Sequence, residues 1–190
     1  LTSKQLIRQA EVARRMALSA EAYEQLNRQL RNNFFSFVSL NDVKTLHVFL
    51  PITSKREPDT WLIIDRIADA FPQIRLVVPK MTGTGILSHF YFEGRQQLKE
   101  NHLGISEPKT GIEVAAAQLD MVLVPLLAFD RRGHRIGYGK GFYDRFLSRC
   151  RPGCQKIGLS LFEPVDSVFN ETHDVALNAV VASTGFYPTA

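Results

Sequence analysis

The sequence predicts an α/β fold. It reads as a single three-layer domain over residues 1–190, with a mostly parallel central sheet of the Rossmann-like type and helices on both faces. Short runs rich in Val, Ile and Leu alternate along the chain with segments of helical spacing, the pattern of a parallel sheet with crossover helices. The most hydrophobic run, LDMVLVPLLAF at 119–129, reads as a strand buried on both faces. A chain of 190 residues, 45% hydrophobic and 22% charged, is long enough and apolar enough for one core.

The elements follow in order. Residues 3–37 lack Gly and Pro and have few β-branched residues, so they read as helical, with Leu6, Ala10, Ala13 and Leu18 giving an intermittent apolar face. Ser19, followed by Glu21 and Glu24, marks the start of a second helix inside that stretch. KTLHVFLPI (44–52) is a strand, 53–60 a loop, and WLIIDRIADAF (61–71) an amphipathic helix ended by Pro72. IRLVVPK (74–80) and SHFYFEG (88–94) are strands, whereas 101–111 carries loop chemistry in its Gly, Pro, Asn and Ser. A helix is expected at 142–150 and strands at 155–161 and 179–184. Repeats and low-complexity segments are absent from the sequence.

Composition narrows the function classes. The net charge of +4 suits an anionic ligand, but the basic residues are dispersed and no RNA-binding module is recognisable. No apolar run approaches the ~20 residues a membrane span needs, and the N-terminal segment is polar, unlike a signal peptide. Cys150 and Cys154 are too few for a structural zinc site, which takes about four ligands, and read as free thiols in a reducing compartment. The histidines, His47, His89, His102, His134 and His173, show no metal-ligand spacing and read as incidental. The expectation is a cytoplasmic protein that binds neither nucleic acid nor membrane, its oligomeric state open with a monomer favoured.

The segment RRGHRIGYGKGFYDRFL (131–147) carries the chemistry. Gly137, Gly139 and Gly141 occur at every second position, after the most buried strand and before a helix. Glycines there let backbone N–H groups approach an anion, and a helix start adds unpaired donors and partial positive charge. Lys140 and Arg135 supply full charge for phosphate oxygens. The spacing matches neither GxxxxGK[ST] nor GxGxxG, so a tight connection with purely conformational glycines stands beside the phosphate reading. Asp144, in the first turn of the helix, suits Mg²⁺ shared with phosphate oxygens, and equally suits the helix dipole alone.

RIGYGKGFYDRFL closely resembles the R-x-G-x-G-x-G-Y-Y-D signature of the 5-formyltetrahydrofolate cyclo-ligases, also called 5,10-methenyltetrahydrofolate synthetases, with Phe142 for the first tyrosine. The preceding VPLLAFDRRGHR is similar to the family's buried strand and D-x-x-G-x-R lead-in, with Leu127 where glycine is common. KQLIR resembles a K-x-x-x-R segment whose basic residues contact ATP, here Lys4 and Arg8; two solvated helix charges are the alternative. REPDT resembles a segment whose glutamate contacts the folate, here Glu57, in a 53–57 loop longer than the family's usual one. ETHDVALNAVVAS resembles a closing segment with an acidic residue assisting the metal, here Asp174, and LGISEP (103–108) a loop beside the folate site.

The resemblance implies ATP- and Mg²⁺-dependent cyclisation of 5-formyltetrahydrofolate. By residue, it implies ATP contacts from Lys4, Arg8, Arg135, Gly137, Tyr138, Gly139, Lys140, Gly141, Phe142 and Tyr143. The folate would meet Glu57, Tyr138, Gly139, Lys140, Gly141 and Phe142; Lys140 and Arg135 would be catalytic, and Asp144 and Asp174 would hold the metal. An ATP-dependent ligase or kinase of the same fold with another substrate, or a non-catalytic RNA-binding protein, are the competing expectations.

Overall fold

A computed structural model describes residues 3–82, 85–101 and 104–189. His102 and Leu103 lie outside the described residues. In chain order the elements are α1 (Ser3–Met16), α2 (Ala20–Phe37), β1 (Thr45–His47), α3 (Trp61–Ala70), β2 (Arg75–Met81), β3 (Leu87–Tyr91), β4 (Leu98–Glu100), β5 (Ser106–Pro108), β6 (Met121–Pro125), β7 (Ala128–Phe129), β8 (Arg135–Ile136), α4 (Phe142–Leu147), β9 (Gln155–Ser160), β10 (Ala179–Ala182) and β11 (Gly185–Pro188). Ser19 caps α2, its Oγ accepting from the Ala22 N–H at 3.1 Å, as the sequence predicts.

The central sheet has seven strands in the order β11-β10-β9-β6-β1-β2-β3. The inner pairs β10–β9, β9–β6, β6–β1 and β1–β2 are parallel, and the edge strands β11 and β3 are antiparallel. Strand alternation divides the core into two layers. Met121 and Leu123 of β6 face one cluster, where Leu30 and Phe34 of α2 and Ile63, Ile64 and Ile67 of α3 are buried. Val122 and Val124 face the other, closed by Phe146 and Leu147 of α4. The predicted three-layer α/β architecture is therefore present.

Several bounds differ from the sequence reading, each for a local reason. The 44–52 strand ends at His47; the Val48 N–H still reaches the Val77 carbonyl at 2.8 Å, and the chain then leaves the sheet. The 119–129 run splits beyond Pro125, because the Leu127 N–H turns to the Ile136 carbonyl at 2.7 Å and starts the β7–β8 hairpin. The helix expected over 142–150 stops at Leu147, and bonds from Arg149 N–H to the Phe146 carbonyl and from Cys150 N–H to the Leu147 carbonyl tighten its end into a 3₁₀ turn. Within the expected loop 101–111, β5 pairs with β4. β11 returns through a two-residue turn at Ser183–Thr184.

The second core layer contains two imidazoles. His47 is fully buried, and neither of its ring nitrogens meets a hydrogen-bond partner among the described residues, nor does His89 Nδ1. Their rings lie 5.0 Å apart, and Phe146 sits 4.7 Å from His47 and 4.0 Å from His89. Burial, then the neighbouring imidazole, keep His47 well below the usual histidine value. Burial, then the Arg149 charge, bring His89 down to about 4. These pKa values are depressed on folding, so below about pH 6.5 the unfolded chain takes up protons that the folded chain refuses. Stability should fall as pH drops from 6.5 towards 4, by on the order of 2 kcal/mol at pH 5 for His89 alone. Thermal unfolding between pH 7 and 5 checks this: H89F should flatten the dependence, and an unchanged slope would remove His89 as its source.

Candidate active site

The strand order reverses between β1 and β6: from β1 the chain proceeds to β2 on one side, and from β6 to β9 on the other. Ligands of open parallel sheets bind at the carboxyl ends of the strands beside such a reversal. A cavity of about 620 Å³ lies there. Its walls come from residues after β1 (Phe49, Leu50, Ile52, Lys55, Glu57), the end of β2 (Pro79, Met81), the loop after β8, and α1. Lys4, Arg8, Glu57, Arg135, Asp174 and every residue from Gly137 to Asp144 line it, so the structure brings all of the sequence-predicted site residues together.

The glycine loop owes its shape to two positive-φ residues. Gly139 has φ +84° and Gly141 φ +66°, a region costly for other residues. A Cβ at Gly139 would also lie 3.1 Å from Arg8 Cζ. Arg8 needs that space: its Nε–H donates to the Gly137 carbonyl at 2.8 Å, fastening α1 over the loop. Arg145 fastens the other side, its Nη2 donating to the carbonyls of Gly85 at 2.7 Å and Lys140 at 3.0 Å. Lys140 itself is exposed at the loop's tip.

Arg135 lines the cavity, and its guanidinium is also engaged by groups of the protein itself. It donates to Asp144 Oδ1 at 2.5 Å and to the Val175 carbonyl, and its side chain is 6% exposed. The Val175 N–H also donates to Asp144 Oδ1, at 3.2 Å. Arg135 thus aims the Asp144 carboxylate. Lys4 acts similarly on the far wall, donating to Asp174 Oδ2 at 2.9 Å and lying 3.4 Å from Glu171 Oε1. Burial acts to raise the Asp174 pKa, but the Glu171 N–H and the Lys4 ammonium outweigh it, so the carboxyl sits below its usual value.

The donor set fits Mg²⁺, which prefers hard oxygen ligands. Asp144 and Asp174 line one cavity, and one oxygen of each is held by a cation that fixes its direction. Ligand atoms of Glu171, His173 and Asp174 lie within 4.8 Å of one another. His173 Nε2 is 3.2 Å from Glu171 Oε2, and His134 Nδ1 is 3.1 Å from Asp130 Oδ2, so neither histidine is as incidental as its sequence spacing suggests.

Glu57 lines the same cavity from the segment after β1. It is 3% exposed, its Oε2 accepting from the Ile52 N–H at 2.8 Å, while its backbone carbonyl accepts from the Tyr23 hydroxyl at 2.5 Å. Burial raises its pKa, opposed by the Ile52 N–H and by the nearby Tyr138 hydroxyl. Lys55 lies 4.5 Å from the centroid of the Tyr138 ring, and a second carboxylate, Glu107, lines the cavity with Oε1 accepting from the Met81 N–H at 2.8 Å.

Known proteins resemble this chain over nearly its whole length. Residues 1–183 match the 5-formyltetrahydrofolate cyclo-ligase family. The chain belongs to that family. It is 31% identical over 172 residues to the Escherichia coli K12 5-formyltetrahydrofolate cyclo-ligase, covering 88% of this chain and 93% of that protein. The Aquifex aeolicus 5,10-methenyltetrahydrofolate synthetase superposes with a TM-score of 0.84 at 26% identity, over 98% of this chain and 93% of that one. The Mycoplasma pneumoniae 5,10-methenyltetrahydrofolate synthetase shares the fold, with a TM-score of 0.76 at 24% identity over 96% and 99% of the two chains.

The cyclo-ligase is a ligase, and its site contains residues that motif reading does not reach. Lys55, Glu107, Arg145, Glu171 and His173 line the cavity, and Arg15 lies buried against Tyr138. Glu107 falls in LGISEP, so that segment's resemblance was its available signal. Among the described residues no helix is long and apolar enough to cross a membrane.

Proposed function

We propose that this cyclo-ligase converts 5-formyltetrahydrofolate and ATP to 5,10-methenyltetrahydrofolate, ADP and phosphate. The observation that carries the reading is one cavity of about 620 Å³ lined by both the glycine loop and Glu57. The N5-formyl group is an amide whose oxygen is a poor leaving group. Transfer of the γ-phosphoryl group to that oxygen releases ADP and gives an imino-phosphate. N10 then attacks the formyl carbon, the carbon–oxygen bond breaks, phosphate departs with the oxygen, and N10 loses its proton. No covalent enzyme intermediate is needed.

The chain's part is positioning and charge neutralisation. The backbone of Gly137, Gly139 and Gly141 surrounds the phosphates, Lys140 brings charge to the transferring group, and Lys4 and Arg8 cover the nucleotide from α1. Tyr138, Phe142 and Tyr143 offer ring faces to the ligands. Mg²⁺, when bound, neutralises phosphate charge; Asp144 and Asp174 are the residues to hold it, with Arg135 and Lys4 orienting them. Glu57 accepts hydrogen bonds from the folate.

Mixing the protein with MgATP and 5-formyltetrahydrofolate should produce the absorbance of methenyltetrahydrofolate; folded protein giving no rise would overturn the reading. Glu57→Ala should raise the folate KM by about 10- to 100-fold, the loss of a charged hydrogen bond, with a smaller change for ATP. The reverse pattern would misplace the folate.

A further inference from the structure

Lys4 is paired with acidic groups and lines the same cavity as the glycine loop. Its ammonium donates to Asp174 Oδ2 at 2.9 Å and lies 3.4 Å from Glu171 Oε1, with 13% of the side chain exposed. Arg8, one turn along α1 and on the same face, donates to the Gly137 carbonyl at 2.8 Å and keeps this face of the helix against the loop.

Charge decides what such a site can hold. Carboxylates attract a dication to the extent that their negative charge is uncompensated. Here Asp144 is compensated by Arg135 and Asp174 by Lys4. The two cations differ in kind. Arg135 is a planar guanidinium, 6% exposed by side chain, shared between Asp144 and the Val175 carbonyl. Lys4 is a point charge on a flexible four-carbon stem, which can turn to a new anion while the backbone stays in place. Asp174 does not depend on it alone, because the Glu171 N–H also donates to Asp174 Oδ2 at 2.9 Å. The carboxylate keeps its position when the ammonium leaves.

We propose that Lys4 is an exchangeable counter-ion. It masks Asp174 and Glu171 until a triphosphate on the glycine loop draws the ammonium away, and the unmasked carboxylates then take the divalent cation. Nucleotide and metal therefore bind as one, and the cation alone meets little free negative charge. The inference rests on Asp174 as a metal residue and on the glycine loop as the phosphate site.

The test titrates Mn²⁺, which suits the same oxygen ligands as Mg²⁺, into the protein without nucleotide, and follows the unbound ion by its paramagnetic resonance signal. Lys4→Met should bind Mn²⁺ at least about 10-fold more tightly than the wild type, the scale of removing one like charge beside a metal site. Lys4→Gln, uncharged but still able to donate to Asp174, should do the same, and it serves if Lys4→Met does not fold. Adding Asp174→Asn to either variant should abolish the gain. A second titration uses ATP with divalent cations removed by a chelator, where Lys4→Met or Lys4→Gln should weaken binding by about 10-fold. Wild-type Mn²⁺ affinity in the Lys4 variants, or unchanged affinity for metal-free ATP, would overturn the exchange. A wild type that shows both effects but does not turn over 5-formyltetrahydrofolate would instead overturn the functional reading alone.

Discussion

Lys140→Ala should lower kcat by about 10²–10³-fold, the scale seen when one charge-stabilising donor is removed from a developing transition state, and leave thermal stability unchanged. The two halves of this expectation have separate structural causes. Lys140 sits exposed between two left-handed glycines, and the backbone at that point is held through its own carbonyl by Arg145 rather than by the lysine side chain. Truncation therefore removes charge without removing support. Phosphoryl transfer depends on such charge because the transferring oxygens carry it throughout the step. Lys140→Arg, with a broader guanidinium on the same flexible stem, should recover part of the rate. Near-normal turnover in Lys140→Ala would take the residue out of the mechanism.

For Asp144→Asn the expected result is a double one. The Mg²⁺ concentration for half-maximal turnover should rise at least about 10-fold, the lower range for perturbing a metal site's ligands, and stability should fall by about 1–2 kcal/mol. The second effect arises because Asp144 Oδ1 accepts from both Arg135 and the Val175 N–H, and the Arg135 side chain is 6% exposed. Replacing the carboxylate by an amide leaves that guanidinium without its counter-charge. A metal titration of turnover and a melting curve on the same preparation separate the two consequences. A lowered melting temperature with an unchanged titration would make Asp144 a structural partner of Arg135 and nothing more.

The parallel core was legible because its strands are buried on both faces and announce themselves as Val, Ile and Leu runs; β6 and β9 are examples. What stayed hidden depends on partners distant in sequence. The short β5 forms against β4, and β11 is a half-exposed edge whose ladder comes from β10. The site divides the same way. Gly139 and Gly141 could be singled out because alternating glycines mark a backbone that needs their conformational freedom, and Glu57 and Asp174 because their segments resemble a family. Arg14 and Arg15 show the limit. They are neighbours of one type, yet Arg14 lies 43% exposed by side chain with Glu163, while Arg15 is buried under Tyr138. A step of about 100° around the helix separates the two fates, and no property of the residues themselves does.

The place of β6 between β1 and β9 has a consequence for biosynthesis. β1, β2 and β3 leave the ribosome well before β6, so the nascent chain holds β1 with one edge unpaired until residue 121 and beyond are available. The cavity is later built from the segment that follows β1 and from the end of β6. Parallel pairing across so long an interval is slow, and an open edge invites pairing with other chains. The same reversal of strand order that creates the binding site therefore makes its assembly a late event, and makes the interrupted chain the form most in need of a chaperone.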